Sequence, residues 1–182
     1  WLHSDPNRHL EHCMSTLELK ELSHPSGEVI KIASGKTLDL KSQGSVTMPS
    51  GSVLQVLTNK SASGLSLTSG TFVTTGMSLS ITPSSTSNKI LAMFQSKNLT
   101  TLAANTSINV DLRRSGTQVS NIGYYTAQQA GNQSVPMGTM HTLDSPSTTS
   151  AITYEVFVSR GGVAGTVQIN GPLELTLMEI QG

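Results

Sequence analysis

The sequence has little of what catalytic or helical proteins are usually built from. It holds one cysteine, Cys13, so no disulfide within the chain is possible and no part of its expected stability depends on an oxidising compartment. Charged residues make up 12% of the chain, and their signs cancel to a net charge of zero. A neutral chain lacks the basic field that phosphate backbones require, so no nucleic-acid partner is expected. Aromatic residues reach only 4%. No apolar run approaches the roughly 18 residues of a membrane-spanning helix, so no membrane insertion is expected. The opening WLHSDPNRHLEHC lacks the apolar centre of a signal peptide. Ala, Leu, Glu and Lys do not dominate, which disfavours long helices.

Hydroxyl side chains fill the gap. Ser (27) and Thr (22) together supply 49 of the 182 residues, and Gly 16 and Pro 7 add turn formers. The hydrophobic share of 36% is low for a packed domain. Disorder is the competing explanation, but disordered chains carry high net charge and few β-branched residues. Here Val, Ile and Thr recur in alternating patterns. The expectation is an ordered, polar, all-β protein.

Residues 1–13 read as an irregular leader, with Met14 as the expected natural start. His9, His12 and Cys13 are metal-ligating types, but no further ligand stands at zinc spacing, so no metal and no cofactor are expected. Residues 14–51 read as an N-terminal segment with shaft repeats. Within it, MSTLELKELSHP at 14–25 fits a capping box (Ser15, Glu18) or strand alternation (Leu17, Leu19) equally well. Apolar pairs flanking one polar residue then recur every eight residues: Ile30-Lys31-Ile32, Leu38-Asp39-Leu40, Val46-Thr47-Met48 and Leu54-Gln55-Val56. Turn formers fall between them at Ser34-Gly35, Gln43-Gly44 and Ser50-Gly51. Each rung offers too few apolar side chains to offset its own ordering entropy. Three identical chains wound about one axis would bury the pairs centrally, as in a trimeric β-shaft. A β-meander leading into the next domain is the alternative.

Residues 52–182 read as one antiparallel, jelly-roll-like β-sandwich. Strands are expected at Val53–Thr58, Leu65–Thr68, Thr71–Thr82, Lys89–Lys97, Ser107–Arg113, Gln118–Ile122, Met137–Leu143, Ala151–Ser159, Thr166–Ile169 and Leu173–Ile180. Met77, Leu79 and Ile81 share one face, as do Ile108, Val110 and Leu112, and Leu173, Leu175, Leu177 and Glu179. Such one-sided strands build antiparallel sheets. Turns are expected at Pro83-Ser84-Ser85, Ser115-Gly116, Asp144-Ser145-Pro146, Arg160-Gly161-Gly162 and Asn170-Gly171-Pro172. Residues 123–136, GYYTAQQAGNQSVP, read as the longest loop. Its Tyr124, Tyr125, Gln128, Gln129, Asn132 and Gln133 form the candidate recognition surface, a polar and aromatic loop held on a rigid scaffold.

Chemistry finds little to use. The carboxylates of the sandwich are Asp111, Asp144, Glu155, Glu174 and Glu179, and its histidine is His141. Glycoside hydrolysis needs two carboxyls flanking the bond, and no pairing is legible. His141 and Asp144 could be completed to a triad by one of many serines, which carries no weight with so many to choose from. GxSxG, HExxH and P-loop patterns are absent. Asp144 in LDSP is explained as an Asx-turn former, and Arg113 and Arg114 as solvent-facing charges at a strand end. The chain is not expected to be an enzyme.

The segments SLSITPSSTSNKILAMF (Ser78–Phe94), TLDSPSTTSAITYEVFV (Thr142–Val158), PSGSVLQV (Pro49–Val56) and LTLMEIQG (Leu175–Gly182) resemble stretches of predicted tail-fibre proteins of marine bacteriophages, cyanophages included. The resemblance spans most of Met14–Gly182 and carries over no catalytic residue. It implies a homotrimeric virion appendage on the tail or capsid surface, with a jelly-roll head of the tumour-necrosis-factor-like kind. Its implied partners are copies of itself, other virion proteins through the N-terminal segment, and a host-surface glycan or outer-membrane receptor. A capsid spike, head fibre or tail adaptor without receptor binding is the alternative.

Overall fold

Alternation dictates the architecture, because a strand with one apolar face must bury that face against another sheet. The computed structural model describes residues 34–35, 48–126, 133–136, 140–162 and 164–182. The leader with His9, His12 and Cys13, the segment 14–25, the first two shaft rungs and Val46-Thr47 of the third lie outside them. The chain divides into two units, Trp1–Val46 and Thr47–Gly182. In the first, Ser34 and Gly35 form the expected turn, with Gly35 at φ +73°.

The second unit is all-β among the described residues. Its strands are β1 (Val53–Ser61), β2 (Leu65–Leu67), β3 (Val73–Ile81), β4 (Lys89–Thr101), β5 (Thr106–Arg114), β6 (Thr117–Thr126), β7 (Gln133–Pro136), β8 (Met140–Asp144), β9 (Ile152–Gly162) and β10 (Val167–Ile180). One antiparallel sheet runs β1-β10-β4, with β7 and β8 both pairing with β4 and β2 pairing with β10. The other runs β3-β9-β5-β6. Setting aside the short β2 and β7, eight strands divide four and four between the two sheets, β1-β10-β4-β8 and β3-β9-β5-β6. That is the jelly-roll arrangement, as expected from the alternating segments.

The core lies between the sheets. Met77 and Ile81 of β3, Ile108, Val110 and Leu112 of β5, and Tyr154, Val156 and Val158 of β9 face Ile90, Ala92 and Phe94 of β4 and Leu173, Leu175 and Leu177 of β10. Burying each aliphatic side chain of this kind contributes about 1.5–3 kcal/mol. The β5–β6 hairpin turns through Ser115 (φ +47°) and Gly116 (φ +88°). Two positive φ angles in a two-residue loop match the twist of the flanking strands. Ahead of β1, Pro49 to Ser52 close a turn (Ser52 N–H to Pro49 O, 3.1 Å) with Gly51 at φ +87°. It is fastened to the far end of β10 by Gly51 N–H to Gln181 O and Gln181 N–H to Ser52 O, both 2.8 Å.

Four expectations are corrected here. Asn170-Gly171-Pro172 does not separate two strands. It is a bulge inside β10, which pairs with β4 on both sides of it and carries a cis Gly171–Pro172 bond. Residues 123–136 are not one loop, because β6 continues to Thr126 and β7 begins at Gln133. The strand expected at Met137–Leu143, described from Met140 onward, runs one residue further, to Asp144. Leu54-Gln55-Val56 is not a shaft rung. It lies in β1, where Gln55 bonds the buried Glu179 while Val56 is 52% exposed.

Candidate functional site

Every carboxylate that could carry chemistry in the sandwich has a structural partner. The register places Gln55, Glu179, Ile90 and Asp144 in one row across β1, β10, β4 and β8. Strand spacing sets the two acids about 10 Å apart, but each is committed. Glu179 is buried, and its Oε1 accepts from Ser84 N–H (2.6 Å), Ser84 Oγ (2.8 Å) and Asn88 Nδ2 (2.6 Å). Its Oε2 accepts from Gln55 Nε2 at 2.6 Å. Burial alone would raise its pKa. The hydrogen bonds from Asn88, Gln55 and Ser84 outweigh burial and hold the carboxyl below its ordinary value.

Asp144 accepts at Oδ2 from Arg114 Nη1 and from the Tyr154 hydroxyl, both at 2.6 Å. It is therefore a bridge between β8 of one sheet and β5 and β9 of the other, which corrects its reading as an Asx-turn former alone. Burial, together with this acceptor, pushes the Tyr154 phenol well above its ordinary pKa.

On the outside of the four-stranded sheet, Asp111 is fully buried beneath Arg113 (Nε to Oδ2, 2.8 Å) and Asn121 (Nδ2 to Oδ1, 3.3 Å). The Arg113 guanidinium stacks on both Phe72 (5.0 Å) and Phe157 (4.5 Å). Arg113 and Arg114 are therefore not free solvent-facing charges. Both are about three-quarters buried, at 25% and 26% exposure. Glu155 accepts from Thr74 Oγ1 at 2.5 Å, and Glu174 is paired with Lys60 and Gln95. His141 and Asp144 lie three residues apart on β8 and so point to opposite faces. No triad forms from them. Among the described residues no three His, Cys, Asp or Glu side chains cluster as a metal site. No helix among them is long and apolar enough to cross a membrane.

The candidate recognition residues are divided by the fold. Tyr124 and Tyr125 belong to β6, opposite Ile108 and Ser107 of β5, and Gln133 opens β7 opposite Thr101 of β4. Gln128, Gln129 and Asn132 lie outside the described residues. β6 ends the four-stranded sheet and β7 borders β4, so both strands flanking residues 127–132 are edge strands.

Three hollows lie along the outer face of β4, beside β10 or β7. One of about 160 Å³ is lined by Met93, Gln95, Glu174 and Thr176. A second of about 250 Å³ adds Lys97 and Pro172 beside the β10 bulge, and a third of about 330 Å³ lies over Lys97, Asn98, Ser134 and Pro136. They are shallow depressions along one strand. A surface of this kind suits contact with another surface better than enclosure of a small substrate. Sequence alone did not mark it, because Gln95, Lys97 and Glu174 read as ordinary outward strand residues.

No family model matches the chain, and no curated protein matches it. Among solved structures, the chain is similar to the structure of infectious bursal disease virus Gx strain, at 12% identity and a TM-score of 0.36. The match covers 80% of this chain, which spans 41% of that one. At that distance the likeness transfers neither topology nor function, and the architecture here rests on the chain's own strand order.

Proposed function

We propose that this chain is the self-associating head of a virion appendage, a bacteriophage tail-fibre-like protein that attaches to a host surface by binding and not by catalysis. The observation that carries the proposal is the jelly-roll sandwich in which every potentially reactive carboxylate is tied into a structural contact. Viral capsid and lectin domains use this architecture, which supports the reading by fold-level analogy. The resemblance of Ser78–Phe94 and Thr142–Val158 to phage tail-fibre segments supports it independently.

The mechanism is multivalent attachment by a homotrimer. Three weak sites on one assembly raise apparent affinity through effective concentration, without any single strong contact. The recognition surface is residues 123–136, with Tyr124, Tyr125, Gln128, Gln129, Asn132 and Gln133 as contacts to a host-surface glycan or outer-membrane receptor. The N-terminal segment joins the other virion proteins.

The test is binding of the purified full-length chain to lipopolysaccharide and to outer-membrane vesicles from marine bacteria. Saturable binding that weakens when Tyr124 and Tyr125 are both changed to Ser is the expected result. An assembled chain that binds no envelope fraction would replace this reading with the second, a capsid spike, head fibre or tail adaptor with a structural role alone.

A further inference from the structure

The two sheets present unlike outer surfaces. Across the four-stranded sheet, one outer row reads Ser78, Glu155, Arg113, Gln118 and the next Thr74, Phe157, Asp111, Asn121. Polar and charged groups dominate both rows, and Arg113 lies over the Phe157 ring. The six-stranded sheet differs. Val56 of β1 pairs with Met178 of β10, Met178 with Leu91 of β4, and Leu91 with Leu143 of β8. These four residues cross the sheet in one unbroken row with no polar side chain. Val56 is 52% and Leu143 55% exposed.

The neighbouring rows extend the band. On one side Val53 (51% exposed) pairs with Ile180, and Ile180 with Lys89. On the other, Thr58, Thr176, Met93 and His141 follow in register. An antiparallel sheet with one solvated face alternates cleanly between apolar and polar. β4 breaks that rule with Ile90-Leu91-Ala92-Met93-Phe94, apolar on both faces. Such a strand behaves as though both of its faces were to be covered.

We infer that the outer face of the six-stranded sheet, centred on Val56, Met178, Leu91 and Leu143, is where copies of this chain associate. The inference deepens the self-association proposed above and rests on it. Charge argues for a second copy as the occupant. The central row offers a glycan no hydrogen bond and an anionic lipid surface no cation. An identical band buries it with no charge left unpaired, while Lys89, Lys60 and Glu174 stay at the rim, where water or each other can satisfy them. The three rows, about 6.8 Å apart, on four strands about 4.8 Å apart make roughly 400 Å² of projected face. Two such faces bury roughly 800 Å², the size of a weak contact that gains strength when several copies close into one assembly.

The test is the solution mass of the full chain by light scattering. The wild-type chain is expected at a multiple of 19.2 kDa. The double variant Val56→Lys with Leu143→Lys is expected to fall to the single-chain mass with its far-ultraviolet circular dichroism unchanged, because both positions are more than half exposed in the single chain. Ser78→Lys with Ser80→Lys, on the outer face of the other sheet, is expected to keep the assembled mass. The milder pair Val56→Thr with Leu143→Thr, safe for the strands, is expected to weaken association at least about tenfold. A charged variant that stays folded and assembled overturns the inference and leaves self-association standing through another surface. If the charged pair unfolds, an unchanged dissociation constant for the threonine pair overturns it equally. A wild-type chain found at the single-chain mass overturns the self-association reading itself.

Discussion

Replacing Glu179 by Gln tests whether the buried carboxylate fastens the end of the sandwich. Four donor contacts converge on its two oxygens, from the Ser84 amide and hydroxyl, from Asn88 and from Gln55. Glutamine keeps one acceptor oxygen and puts an NH2 group where the other stood. With the oxygen left toward Ser84 and Asn88, that NH2 meets the Gln55 amide nitrogen, donor against donor. Gln55 can turn to offer its own oxygen only by giving up its 2.9 Å bond to the Thr82 carbonyl. In either arrangement one bond is lost and the rest fall from charged to neutral, a loss of about 2–4 kcal/mol.

The carboxyl is held below its ordinary pKa, so its stabilisation is present above pH 4.5 and is lost as pH falls through the folded value. Glutamine does not titrate there. The gap between wild type and Glu179→Gln should be widest near neutrality and close in acid. The chain's single tryptophan is Trp1, in the leader, so urea unfolding is followed by far-ultraviolet circular dichroism, at equal chain concentration because association shifts the midpoint. A difference under about 0.5 kcal/mol at neutral pH, within the scatter of ordinary surface substitutions, would refute the reasoning. So would a gap that does not narrow on acidification.

Tyr154→Phe removes the hydroxyl donated to Asp144 and is expected to cost about 1–2 kcal/mol in urea unfolding. In alkali the wild-type Tyr154 should ionise only on unfolding, and stability should fall as pH rises above 10, which absorbance titration of the phenolates reads directly. Arg113→Ala exposes the buried Asp111 without its partner and is expected to cost about 3–5 kcal/mol. Arg113→Lys should recover only part, because lysine cannot stack as a plane between Phe72 and Phe157. Leu177→Ala, in the centre of β10, is expected to cost about 2–5 kcal/mol in the same assay.

Much of the fold could be read from the chain because a two-residue period leaves little choice of face. Met77, Leu79 and Ile81, and Ile108, Val110 and Leu112, face the core as their alternation requires. Position alone groups Glu179 with Leu173, Leu175 and Leu177, and it is buried with them despite its charge. What stayed hidden depends on contacts distant in sequence. Gly171-Pro172 has the composition of a turn, and only pairing with β4 on both sides makes it a bulge. Arg113 and Arg114 resemble strand-end charges until Asp111, Asp144 and two phenylalanines are brought to them by other strands. Tyr124-Tyr125 sits among polar residues that read as loop, yet β5 supplies a strand partner for both. The band on the outer sheet is hidden in the sequence for a related reason. Its members, Val56, Leu91, Leu143 and Met178, come from four separate segments and form a row only once the register is known.

The position of β10 bears on how the molecule is made. β1 and β4 lie on either side of it and do not pair with each other, so the sheet has no middle until β10 arrives. Synthesis proceeds from the N-terminus, and on the ribosome Val53–Ser61 and Lys89–Thr101 must wait for residues 167–180 before either finds that neighbour. The four-stranded sheet is subject to the same delay through β9. Pairings this far apart in sequence form slowly, and edges left open in the meantime invite mispairing. Where nascent chains are crowded on one message, each exposing an unfilled gap between two strands, a strand donated by a neighbouring chain competes directly with the chain's own. Ribosome traffic and chaperone supply therefore bear on the yield of native protein.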